Sequence, residues 1–158
     1  MPRSKAQEIL KQYWDDGSIP IDPMVIAAKM GISVLANPGF NASGHYIPSK
    51  DSQPPLITYN SSESKVRQRF TIAHELGHHV MEHGERDRDT PDRFSMGYHD
   101  PIEVDANRFA AHLLMPGQIV NALIRVRGIR SVDELARMFG VSKVAMRFRL
   151  KELGYAVK

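Results

Sequence analysis

Phe70-Thr71-Ile72-Ala73-His74-Glu75-Leu76-Gly77-His78 sets the pattern His-Glu-x-x-His inside a largely apolar run. Val66, Phe70, Ala73, Gly77 and Met81 recur at spacings of three and four, and Ser61, Ser62 and Ser64 offer N-caps ahead of them. That periodicity predicts an amphipathic helix of about five turns. Residues four apart on a helix stand one turn above each other, so His74 and His78 project from one face and suit a shared zinc ion. Glu75 lies one step round, beside the metal. That is the place for a general base acting on a water whose proton the metal has loosened. Five of the seven histidines fall between positions 74 and 99.

A third ligand is expected downstream. Asp100-Pro101-Ile102-Glu103 supplies an N-cap, a proline at the first helical position and a glutamate at the third, and the helix runs from Ile102 through Met115. Glu103 and Asp105 are the carboxylates available on it. Glu103 is preferred, because Asn107 lies four residues on, above the same face, where it can hydrogen-bond a ligand imidazole and hold it in place. Asp105 points about 200° round the helix and reads as a solvated acid. His79 and His83 are off the ligand face and His112 lies opposite Glu103, so all three read as packing or surface residues. Two histidines and one carboxylate leave a fourth position for water, which is the arrangement of a catalytic site. Tyr46, Tyr59, Tyr98 and His99 are candidates for stabilising an oxyanion.

Around this centre the chain is that of an ordinary globular domain. It has 158 residues, 42% of them apolar and 25% charged, with no cysteine. The last fact excludes a disulfide framework, a thiolate metal site and a cysteine nucleophile, so any metal falls to His, Asp, Glu or Asn. Ser4 with Gln7 reads as a capping box opening a first helix, and Asp22-Pro23 as the start of a second that stops at Gly31. The β-prone segments Ile32–Leu35, Gly44–Ile47 and Leu56–Tyr59 suggest a three-stranded antiparallel sheet, with the last strand offering an edge to an extended substrate. Gly84–Tyr98 reads as a polar loop. No leader or uncharged run of membrane-spanning length is present, so the expected compartment is the cytoplasm.

The longer string Arg69-Phe70-Thr71-Ile72-Ala73-His74-Glu75-Leu76-Gly77-His78, then Glu103 with Ala106-Asn107-Arg108-Phe109-Ala110-Ala111, then Leu113-Leu114-Met115-Pro116, resembles the ImmA/IrrE family of zinc metallopeptidase-like proteins. The resemblance implies that His74 and His78 bind zinc, that Glu75 is the catalytic glutamate and that Glu103 is the downstream ligand. Asp105 departs from the glutamate common there. It further implies a site-specific endopeptidase that inactivates a helix-turn-helix repressor of the Cro/cI (XRE) type, releasing a phage, mobile-element or stress-response programme. The competing expectation is a non-enzymatic regulator or toxin-antitoxin component that binds a repressor or DNA.

The net charge of +3 is unevenly spread. Residues 1–116 carry 12 basic and 15 acidic side chains, while 117–158 carry 9 and 3. Ser131-Val132-Asp133-Glu134 caps a helix, and Gly140-Val141-Ser142 turns the chain into another that carries Lys143, Arg147 and Arg149. The expectation is therefore an α+β, minimal zincin-like domain over 1–116, mainly helical, with a basic helix-turn-helix-like module over 117–158. That module reads as packing and substrate-presenting in preference to DNA-binding, since Phe148 and Leu150 interleave with its arginines.

Overall fold

The computed structural model describes residues 1–87 and 100–157. In chain order these form α1 (Pro2–Tyr13), α2 (Pro23–Lys29), β1 (Ser33–Ala36), β2 (Gly44–Ile47), β3 (Leu56–Tyr59), α3 (Lys65–Val80), β4 (Arg86–Asp87), α4 (Pro101–Leu114), α5 (Gly117–Arg125), α6 (Val132–Phe139) and α7 (Lys143–Glu152). Among the described residues, no helix is long and apolar enough to cross a membrane.

Local chemistry accounts for most helix starts. The side chains of Asp22, Ser64, Asp100, Ser131 and Ser142 each accept a backbone N–H of the first turn they open. The first helix differs from the expected capping box. Pro2, pre-set at a helical φ, starts α1 directly after Met1, and Ser4 falls inside the first turn. Met115 ends α4, but Pro116 serves as the next N-cap and the chain turns helical again at Gly117. The Pro116-Gly117 pair thus stops α4 and opens α5.

The sheet is mixed, with the order β1-β3-β2-β4, and not a three-stranded antiparallel one. β2 and β3 pair antiparallel with Tyr46 opposite Ile57, while β1 runs parallel to β3 with Val34 opposite Ile57. Ile57 and Thr58, which point to opposite faces, are both buried, as an interior strand requires. β3 thus has a neighbour on each side and offers no edge to a substrate, which corrects that expectation. Among the described residues the edges are β1 and the two-residue β4, which pairs with β2 inside the segment read as loop; the rest of that segment falls within 88–99, outside the described residues.

α3 packs on α4 on one side and on β2 and β3 on the other. Gly77 lets the two helices close up, since a Cβ there would lie 3.1 Å from Phe109 Cδ1. The buried residues of the C-terminal helices, among them Val120, Leu135, Phe139, Met146 and Leu150, join the same cluster as Leu76, Phe109 and Leu113. Two side chains on α7 differ from expectation. Arg149 is buried with its Nε donating to Met115 O at 2.8 Å, whereas Phe148 is 67% exposed.

Candidate metal centre

α3 has two working faces. The face toward α4 carries His74 and His78, both buried, and their rings meet edge to face. The N-terminal turn of α4 brings Glu103 to them. His74 Nε2 lies 3.1 Å from Glu103 Oε1 and His78 Nε2 lies 2.9 Å from Glu103 Oε2, while the two Nε2 atoms are 3.1 Å apart. Each residue thus offers one ligand atom to a common point, and these atoms lie within 4.8 Å of one another.

Protons decide what such a point is for. Asn107 Oδ1 can only accept, and it lies 2.7 Å from His74 Nδ1, so that nitrogen carries the hydrogen and Nε2 keeps a lone pair. Burial acts to raise the Glu103 carboxyl; when His74 and His78 are protonated, their hydrogen bonds and charge outweigh it and hold the group below the usual carboxylate range, and a cation taking the place of those protons would do the same. An ionised carboxylate facing imidazole lone pairs in a buried pocket is a donor set for a divalent cation. Two ligands at zinc distances around a tetrahedral centre stand roughly 3.3 Å apart, close to the 3.1 Å between the His74 and His78 Nε2 atoms. The residues therefore fit a metal ion.

The other working face meets the sheet. Glu75 is fully buried, and Gly44 at the start of β2 makes room for it. A Cβ on Gly44 would come within 2.9 Å of Glu75 Oε2 and 2.4 Å of Thr71 Cγ2. Nothing in the sequence singled out Gly44, because its partner lies 31 positions away on another element.

Of the other sequence candidates, Asp105 is not in the group with the histidines, nor are His79 and His112. Tyr46 is buried with its hydroxyl hydrogen-bonded to His79 Nδ1 at 2.7 Å; burial, then Glu82, raises its pKa, and burial lowers that of His79. That pair occupies the Tyr46 hydroxyl. Tyr59 is half-buried at the end of β3, opposite Gly44. Tyr98 and His99 lie outside the described residues. His83, read as a packing or surface residue, instead sets its Nδ1 2.8 Å from His78 Nδ1.

Beside the ligands runs a cleft of about 690 Å³ between α3, α4 and α7. His74, Glu103 and Asn107 line it together with the apolar side chains of Phe70, Val104 and Phe148.

Residues 27–151 match the model of the peptidase M78 family, the IrrE N-terminal-like domain. The chain belongs to this family. Members similar to it include the radiation response metalloprotease IrrE of Deinococcus deserti, 33% identical over 127 residues that make up 77% of this chain and 43% of that protein. Metallopeptidase ImmA of Bacillus subtilis is 30% identical over 124 residues, 78% of this chain and 71% of that protein. This IrrE-like chain thus spans less than half of the Deinococcus relative and most of the Bacillus one. In fold it is similar to a solved Mycobacterium tuberculosis transcriptional regulator, with a TM-score of 0.59 at 19% identity over 95% of this chain and 46% of that one.

Proposed function

We propose that this chain is a zinc-dependent, site-specific endopeptidase that cleaves a helix-turn-helix repressor of the XRE type. The observation that carries the proposal is the convergence of His74, His78 and Glu103 on one buried point, on the helix that bears Glu75 and beside an apolar cleft. The peptidase names of the IrrE and ImmA relatives support the same reading.

In this reading His74, His78 and Glu103 hold Zn²⁺, and Asn107 keeps the His74 ring in its metal-facing orientation. When bound, the ion supplies Lewis-acid polarisation of a carbonyl and makes water acidic enough to attack near neutral pH. Glu75 accepts the proton of the attacking water as the new C–O bond forms, and returns it to the amine as the C–N bond breaks. Its burial matters here, because a carboxylate shielded from bulk water does not exchange that proton away before the amine leaves. The cleft seats an extended stretch of substrate and receives its apolar side chains. We take 1–116 as the catalytic unit and 117–158 as a basic module packed on it. Val144, Arg147, Phe148 and Lys151 on the outer side of α7 provide a mixed apolar and cationic surface for the repressor.

The test is incubation of the Zn²⁺-loaded chain with an XRE-type repressor from the same genome, followed by mass spectrometry of the products. Cleavage at one peptide bond, stopped by a chelator, is the expected result. An intact repressor together with salt-dependent binding of this chain to an operator would contradict it and favour a DNA-binding regulator.

A further inference from the structure

The way α3 ends bears directly on His78. The N–H of His83 donates to His78 O at 2.9 Å and that of Glu82 to His79 O at 3.2 Å, which is the paired bonding of a Schellman helix stop. Glu82 occupies its left-handed position, with φ +57°, where glycine is the usual residue. Such stops commonly bring the residue two past the cap onto the residue three before it, through an apolar contact. Here those two residues are His83 and His78. Their rings lie 5.1 Å apart between centroids, and their Nδ1 atoms 2.8 Å apart.

The contact uses the edge of the His78 ring opposite the one that faces His74 and Glu103. His78 Nε2 looks toward those groups, and Nδ1 looks toward His83. We infer that His83 is a positioning residue for the metal centre: its Nδ1 accepts the Nδ1–H of His78, fixing the tautomer that leaves Nε2 free to bind the ion. Asn107 stands in the same relation to His74. Each ligand imidazole is then anchored from behind, one by a side chain of α4 and the other by the turn that closes α3. The geometry argues against His83 as a ligand of the same ion, since it meets His78 on the side away from the cluster. The inference rests on the metal-site reading above and extends it to a residue outside the His-Glu-x-x-His pattern.

The test is competitive titration of Zn²⁺ into the full chain, stripped of metal, against a chromophoric chelator, with Co²⁺ absorption as a second readout. Wild type, H83A and H83N are compared. His83 is only half-buried, so H83A is expected to fold, and the thermal midpoint of the metal-free protein checks that it does. Loss of a hydrogen-bond partner behind a metal-binding histidine typically weakens affinity about 10–100-fold, so H83A should bind one ion per chain by that factor more weakly and with altered Co²⁺ bands. H83N, whose Oδ1 can accept from His78 as Asn107 does from His74, should recover part of the loss. H83A binding as tightly as wild type, with the same Co²⁺ spectrum, overturns the inference. So does equal weakening in both variants accompanied by a lowered midpoint of the metal-free chain, which marks a packing role. A wild-type chain that takes up no ion defeats the metal-site reading itself, an outcome distinct from either.

Discussion

Glu75→Gln is expected to bind metal as the wild type does and to cut substrate about 10²–10⁴-fold more slowly, the range over which a positioned general base or acid contributes. The substitution preserves size and shape, which matters for a side chain that is fully buried against Gly44 and Thr71. It removes only the capacity to take a proton from water. Glu75 does not belong to the His74, His78 and Glu103 group, so metal content and affinity should be unchanged. Measuring both quantities on the same preparation separates a lost base from a lost metal. A Glu75→Gln protein that cleaves at the wild-type rate would remove Glu75 from the mechanism.

The largest effect on stability is expected away from the metal. Arg69, five residues before His74 on α3, donates from Nε to Gly140 O at 3.0 Å and from Nη2 to Ile21 O and to Phe139 O. One planar guanidinium thus joins the segment before α2, the helix that carries the histidines and the C-terminal end of α6, where a cation is favourable. Arg69→Ala leaves three carbonyl groups without these donors and opens space beside Phe139 in the core. A loss of about 2–4 kcal/mol is expected, with a fall of roughly 5–15 °C in Tm for a chain of this size. Arg69→Lys should recover little, since a single ammonium group cannot reproduce the planar fork that reaches Ile21 O on one side and the adjacent Phe139 and Gly140 carbonyls on the other. Chemical denaturation of the metal-free chain checks this without interference from ligand binding. A change within about 0.5 kcal/mol, typical of a surface substitution, would show that the three elements are held together by apolar packing alone.

Much of the fold was legible because the signals were local. The boundaries of β2 and β3 and the caps at Asp22, Ser64, Asp100 and Ser131 depend on residues within a turn of one another, where propensity and capping chemistry act. Strand pairing depends on partners far apart in the chain. β-propensity marks Leu56–Tyr59 as a strand but does not say that Ser33–Ala36 lies parallel to it, and the burial of both Ile57 and Thr58 appears only once the sheet is assembled. The same limit governs Arg149. Its charge suggests an exposed helical face, and only the position of Met115 O makes burial affordable.

At the site, the spacing of His74 and His78 is itself a local signal, and so is the placement of Glu103 and Asn107 four apart on one helix. Gly44 could not be recognised, because the need for it arises from Thr71 and Glu75 on another element. His83 is an intermediate case. It is five residues beyond His78 and one before Gly84, a spacing compatible with a helix stop, but with glutamate at position 82 the left-handed turn was not evident.

The claim on which the rest depends is that His74, His78 and Glu103 form a metal site. Zinc per chain, measured by elemental analysis on protein purified without chelators, tests it most directly. About one zinc per chain is expected in the wild type and in Asp105→Ala, with loss in His78→Ala and weakened retention in Glu103→Ala. A wild-type chain that carries no zinc and takes none up on titration, or an Asp105→Ala protein that loses it while Glu103→Ala keeps it, would contradict the account.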